Sequence, residues 1–140
     1  MKKLLVLKEE LGTVKGADDI FNKIQSINID YKQENVIVFY LNTQNKVIDS
    51  DVLFKGGLDA CLVCPKTIFR KTLRKGASKI IISHNHPSGN LEPSDVDKEI
   101  YKLLMEGGNT LGINVLDCII FNKTHFFSLD DMRSLKNETY

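Results

Sequence analysis

Ser83-His84-Asn85-His86-Pro87-Ser88-Gly89-Asn90-Leu91-Glu92-Pro93-Ser94-Asp95-Val96-Asp97 is the stretch whose reading decides the fold. It follows Lys79-Ile80-Ile81-Ile82, a β-branched apolar run of the kind that forms a strand buried on both faces. Side chains two apart on a strand point to the same side, so His84 and His86 aim two imidazoles at one point. Pro87 ends the ladder and Pro87-Ser88-Gly89-Asn90 has turn chemistry. Ser94 then reads as a helix N-cap with Asp97 at the third helical position, which returns a carboxylate towards the imidazoles. Two imidazoles and one carboxylate make three metal ligands. They leave a fourth tetrahedral position for water, the catalytic zinc pattern rather than the closed structural one.

Outward from this loop, an apolar β-prone run from Glu34 to Leu41 reads as a central strand. Asn42-Thr43-Gln44-Asn45 turns it into a second strand over Lys46 to Phe54, and Gly56-Gly57 ends the pair. Upstream, Asp18 is placed to cap a short helix carrying Ile20, Phe21, Ile24 and Ile27 on one face. Pro65 to Lys75 reads as a helix with proline in its first turn and Gly76 past its end. Ile68, Phe69 and Leu73 form its apolar stripe; Lys66, Arg70, Lys71, Arg74 and Lys75 form the rest, a solvated face or a nucleic-acid patch. Ser94 to Glu106 is expected as a helix with Val96, Ile100, Leu103 and Leu104 inward and Gly107-Gly108 as its stop. A buried strand over Ile113 to Phe121, a turn at Asn122-Lys123-Thr124 and a short strand over His125 to Ser128 follow. The polar tail Leu129 to Tyr140 reads as a frayed helix or as disordered. Intermixed strands and helices without repeats or linkers define a single α/β domain.

At 140 residues, 42% hydrophobic and 26% charged, the chain can build a real core. Its net charge of +1, from 19 basic and 18 acidic residues, provides no whole-molecule field for nucleic acid or an anionic membrane. No run approaches the ~20 apolar residues of a membrane span, and Lys8-Glu9-Glu10 interrupts Leu4-Leu5-Val6-Leu7 too early for a signal peptide. Three cysteines, Cys61, Cys64 and Cys118, argue against a disulfide scaffold and fit a reducing cytoplasm. Cys61-Leu62-Val63-Cys64 has no second pair to complete a structural zinc site and is read as two packed thiols. A zinc base deaminase needs His-x-Glu followed by a downstream Pro-Cys-x-x-Cys, which is not the order here. Nor is His-Asn-His an HNH nuclease motif, whose residues are dispersed.

A zinc-bound nucleophile still needs a base, commonly a carboxylate outside the ligand set. Glu34, at the mouth of its strand, reads from the residues alone as a solvated edge charge. Ser94 can accept the Asp97 N–H as a cap while donating its own proton to a substrate oxygen, or it can act as a cap only.

The pattern His84-x-His86, seven residues, Ser94, two residues, Asp97, with Glu34 upstream, resembles the JAMM signature of JAB/MPN-type metalloproteases. The run from His84 to Gly89 with Glu92-Pro93-Ser94, the Pro65 helix start and Leu116-Asp117 resemble its RadC branch. The likeness covers roughly residues 18 to 130. It implies a mixed curved β-sheet flanked by helices, with cytidine-deaminase-like layering, and divides the chain into a helical segment 1–33 packed on the domain, the RadC-like domain 34–130 and a tail 131–140. It implies Zn2+ held by His84, His86 and Asp97, Glu34 as general acid/base and Ser94 as the polarising hydroxyl. The activity implied is peptide or isopeptide hydrolysis by a cytoplasmic enzyme acting on a peptide or protein substrate. The alternative is a non-catalytic DNA- or protein-binding module of repair or mobile elements; homodimerisation stays open. This sequence has Pro65-Lys66-Thr67 where the family has Pro-Arg-Glu, and Leu116-Asp117-Cys118 where it has Leu-Asp-His. Neither departure falls on a ligand.

Overall fold

Every residue of β1 (Asn35–Leu41) is buried, which marks it as the centre of the architecture. In the computed structural model, which describes residues 13–55 and 64–131, it is followed by β2 (Val47–Lys55) and β3 (Lys79–Asn85), and later by β4 (Asn114–Phe121) and β5 (Phe126–Ser128). The helices are α1 (Ala17–Gln25), α2 (Pro65–Arg74) and α3 (Asp95–Leu111). The strands form one mixed sheet in the order β2-β1-β3-β4-β5. β1 is antiparallel to both β2 and β3, β3 and β4 are parallel, and β5 returns antiparallel to β4. A parallel pair needs a long crossover, and α3 supplies it between β3 and β4.

Strand alternation divides the core in two. On one face Val36, Val38, Tyr40, Ile80 and Ile82 pack with Ile68 and Phe69 of α2 and Tyr101 and Leu104 of α3. On the other Ile37, Phe39, Leu41, Ile81 and Ile119 pack with Ile20, Phe21 and Ile24 of α1. Each fully buried aliphatic side chain contributes about 1.5–3 kcal/mol. The sheet, covered on both sides, is held rigid up to the end of β3, where the histidines stand.

Several expectations from the sequence need correction. Gly16, not Asp18, occupies the N-cap of α1; Asp18 lies within the first turn, and Asp19 accepts the Lys15 N–H at 2.7 Å. Gly107-Gly108 does not stop α3, which continues to Leu111 and ends on Gly112 in the left-handed region. These two glycines serve close approach instead. A Cβ on Gly107 would lie 2.8 Å from the Phe69 ring, and one on Gly108 would lie 2.4 Å from the Ile113 carbonyl oxygen. Val96 and Leu103 point outward and are half exposed, and so does Leu73 of α2, whose buried stripe is Ile68, Phe69 and Thr72. Thr72 is accommodated there because its hydroxyl donates to the Ile68 carbonyl at 2.7 Å. Cys64 is the half-buried N-cap of α2 rather than a packed thiol; the N–H groups of Thr67 and Lys66 beside its sulfur pull its pKa down. Gly56, Gly57, Cys61 and residues 132–140 lie outside the described residues.

The tail begins as packed structure. Leu129 is buried, and Asp117 in β4 accepts the Ser128 hydroxyl at 2.6 Å, the Asp130 N–H at 2.9 Å and the Cys118 N–H at 2.7 Å. Burial pushes the Asp117 carboxyl up to about 6, against the pull of those three donors.

Two outcomes follow from these contacts. Gly108→Ala gains helix propensity of up to about 1 kcal/mol, yet should destabilise by about 2 kcal/mol or more, because the obstructing atom is backbone and cannot swing aside. Denaturant unfolding reads the difference, and an unchanged midpoint would contradict the close packing. For Asp117, an acid with its folded pKa above the unfolded value holds its proton more tightly in the folded state. Its stabilisation is full below about pH 4 and is lost as pH rises through about 6. Relative to Asp117→Asn, the wild type should therefore lose roughly 2–3 kcal/mol between pH 4 and pH 7. Parallel stability curves for the two proteins would refute this.

Candidate metal centre

After Lys79 opens β3, its residues are apolar until Ser83. Ser83 is buried and donates its hydroxyl to the Ile37 carbonyl at 2.9 Å, which satisfies it within the sheet. His84 is the Cα partner of Val36 on β1 and is also buried. His86 lies just beyond the strand, and the two imidazole centroids are 5.1 Å apart with their planes inclined by 59°.

The loop then reverses through a turn closed by the Gly89 N–H donating to the His86 carbonyl at 2.8 Å, with Gly89 at φ +81°. Asn90 supports it twice, since its N–H donates to Ser88 Oγ and its Oδ1 accepts the Glu92 N–H. Asn122, after β4, ties the turn to the sheet by donating to the Gly89 carbonyl at 3.0 Å. The carbonyl of Asn90 also accepts from His86 Nδ1 at 2.8 Å. A carbonyl only accepts, so the proton sits on Nδ1 and Nε2 is the nitrogen presented to the site.

Ser94 and Asp97 form a full capping box at the start of α3. Ser94 Oγ accepts the Asp97 N–H at 3.1 Å, and Asp97 Oδ2 accepts the Ser94 N–H at 2.9 Å. The same carboxylate faces both imidazoles, with Oδ1 3.3 Å from His84 Nε2 and Oδ2 3.1 Å from His86 Nε2. Burial alone would raise the Asp97 carboxyl, but the close approach of both imidazoles and the charge of His84, with the Ser94 N–H, hold it well below the usual carboxylate range. His86 is raised by its bond to Asp97, against burial, and further by the Asn90 carbonyl and the charges of Asp97 and Glu34.

This arrangement meets the requirements of a metal centre. His84, His86 and Asp97 each offer one ligand atom, and those atoms lie within 4.8 Å of one another. His84 Nε2 is buried without a hydrogen-bond partner, a costly arrangement for a polar atom unless something binds it. Two imidazoles with a carboxylate are a donor set for a divalent transition metal, zinc among them.

The other residues singled out in the sequence are close by. Glu34 is half-buried at the entrance to β1, two residues before the partner of His84, and near enough for its charge to act on His86. Ser94 is exposed, on the helix start that carries Asp97. Cys118, buried and with its thiol pushed up by burial and by the charges of Asp117 and Asp97, remains a thiol. The basic residues Lys66, Arg70 and Arg74 stand exposed on α2. Reading the sequence missed Asn35 and Asn85, both buried and joined to each other beside the histidines. Their signal was present: asparagine is disfavoured in strands, so one in each of two apolar strands calls for a reason.

A mixed sheet between helix layers, with three convergent donors at the carboxyl end of a strand, defines a candidate metal-binding α/β domain. Residues 14–135 match the RadC-like JAB domain, and the chain belongs to that family. It is 36% identical over 118 residues to a UPF0758 protein of Chlorobaculum parvum, covering 84% of this chain and 53% of the relative. It is 39% identical over 127 residues to a UPF0758 protein of Listeria monocytogenes, covering 91% and 57%. The chain thus spans about half the length of the relatives it matches.

The geometry predicts that the purified chain takes up zinc at one ion per chain and that His84→Ala does not, as read by metal analysis after dialysis. Full zinc occupancy in His84→Ala would exclude this centre.

Proposed function

We propose that this domain is a zinc-dependent hydrolase, a metallopeptidase or isopeptidase in which His84, His86 and Asp97 hold the metal, Glu34 is the general base and Ser94 the polarising hydroxyl. The observation that carries the reading is the convergence of three donors within 4.8 Å at the end of β3, with the Glu34 charge acting on His86. JAB domains include hydrolases, which agrees with it.

Held by His84, His86 and Asp97, a zinc ion would supply the nucleophile at neutral pH, by lowering the pKa of water from 15.7 to about 7. Everything else is the work of the chain's own groups. Glu34 comes from the turn that enters β1, outside the ligand set, so its carboxylate stays free to take a proton and hand it to the leaving nitrogen. Ser94 uses an oxygen lone pair for the Asp97 N–H and keeps its own proton, available to a carbonyl oxygen as negative charge develops there. The Asn90 carbonyl holds the His86 proton on Nδ1 and so keeps Nε2 directed into the site.

The test is hydrolysis of a panel of peptides and isopeptide-linked conjugates by the zinc-loaded chain. Cleavage should vanish with a chelator and return with zinc. Glu34→Gln should lower kcat by roughly 10²–10⁴-fold while zinc stays bound. Cleavage that survives chelation, or equal turnover in Glu34→Gln, would refute the mechanism.

A further inference from the structure

The ladder between β1 and β3 ends at the pair Val36 and His84. One residue further on, side-chain amides take over. Asn85 Oδ1 accepts the Asn35 backbone N–H at 2.8 Å and Asn35 Nδ2 at 3.1 Å. Asn85 Nδ2 donates to the carbonyls of Gln33 at 2.9 Å and Tyr31 at 3.3 Å. Asn35 Nδ2 also reaches the carbonyls of Asp30 at 2.9 Å and Gln33 at 3.1 Å. Both asparagines are 1% exposed. An asparagine amide has two donor hydrogens and an oxygen with two acceptor sites, and Asn85 commits all four.

The placement of this strap is what gives it meaning. Asn85 is covalently between His84 and His86, and on a strand its side chain points away from the face they share. Asn35 is covalently next to Glu34. The strap therefore connects the histidines of β3 to the turn that delivers Glu34, on the side of the sheet where it obstructs nothing. An apolar cross-strand pair would hold two strands together at less desolvation cost, but it could not bind the carbonyls of residues 30, 31 and 33 and so could not hold the turn.

We propose that Asn35 and Asn85 are positioning residues which fix the Glu34 carboxylate relative to His84 and His86. This rests on the reading of Glu34 as the base of the metal site. The strap acts through the backbone of residues 30–35, so its loss displaces Glu34 while the ligand set stays intact.

Cobalt(II) loaded into the full chain is the probe, since its visible absorption reports the surroundings of the ion without any substrate. Glu34→Gln should alter the band. Asn85→Ala and Asn35→Ala should each still bind one cobalt per chain, with Kd raised by no more than about tenfold, the low end for a group supporting a metal ligand. Each should shift the band in the same direction as Glu34→Gln, and adding Glu34→Gln to either should change it no further. Asn35→Ala is the milder variant should Asn85→Ala fail to fold, because the bonds of Asn85 to the Asn35 N–H and to the Gln33 and Tyr31 carbonyls survive it. If the asparagine variants keep the wild-type band while Glu34→Gln changes it, the strap only closes the turn and the proposal falls alone. If Glu34→Gln leaves the band unchanged, or the wild-type chain takes up no cobalt, the assignment of the base or of the metal site falls, and the proposal with it.

Discussion

The carboxylate of Asp97 is shared between a helix and two imidazoles, and the site depends on that sharing. As the third residue of α3 it closes the capping box with Ser94, satisfying backbone N–H groups that the first turn of any helix leaves unpaired. The acid is drawn to that place by the positive end of the helix as well. Because its two oxygens also face His84 and His86, the start of α3 and the end of β3 are held in one register. Helix packing then becomes part of the site: the close contacts of Gly107 with Phe69 and of Gly108 with the Ile113 backbone fix how α3 lies on the sheet, and hence where Asp97 stands.

The electrostatics agree with this arrangement. A depressed Asp97 and a raised His86 are two sides of one attraction, a carboxylate and an imidazolium that stabilise each other's charged forms. His84 is different: its Nε2 is buried, approaches Asp97 Oδ1 at 3.3 Å and makes no hydrogen bond. A site arranged only to stabilise the fold would not bury that nitrogen unsatisfied. A cation between the three groups would resolve the conflict, since it would take the lone pairs of both imidazoles and the charge of the carboxylate together.

What the sequence made legible follows from period and local chemistry. The buried run Lys79-Ile80-Ile81-Ile82 and the spacing of His84 and His86 depend only on strand alternation, and the Ser94–Asp97 box only on helix-end chemistry, so both read correctly from a single chain. Where tertiary contact decides, local reading failed. Gly107-Gly108 looks like a stop, but the helix runs through it because Phe69 and Ile113 need the space. Val96, Leu103 and Leu73 fit an amphipathic pattern, yet they lie at its margin and face outward. Glu34 could be singled out only by resemblance, since nothing in Lys32-Gln33-Glu34-Asn35 tells which strand its carboxylate will stand beside.

Strand order supplies that missing information. β1 runs antiparallel to β3, so the entrance of β1 lies against the exit of β3, and residue 34 arrives next to the histidines. Had β1 been parallel, seven residues at about 3.3 Å each would have carried that entrance roughly 20 Å away. β4, parallel to β3, ends at the same edge, which is how Asn122 reaches the Gly89 carbonyl and steadies the metal loop. α3 must return along the sheet to begin β4, so its N-terminus, with Ser94 and Asp97, starts at that edge too. Four segments of the chain thus meet at one end of the sheet. Three bring polar groups to the loop or its ligands through ordinary topology. The fourth, the turn before β1, lies past the last pair of the β1–β3 ladder; Tyr31 packs its ring edge-on against Phe121, and the asparagine amides tie the turn's backbone to the end of β3.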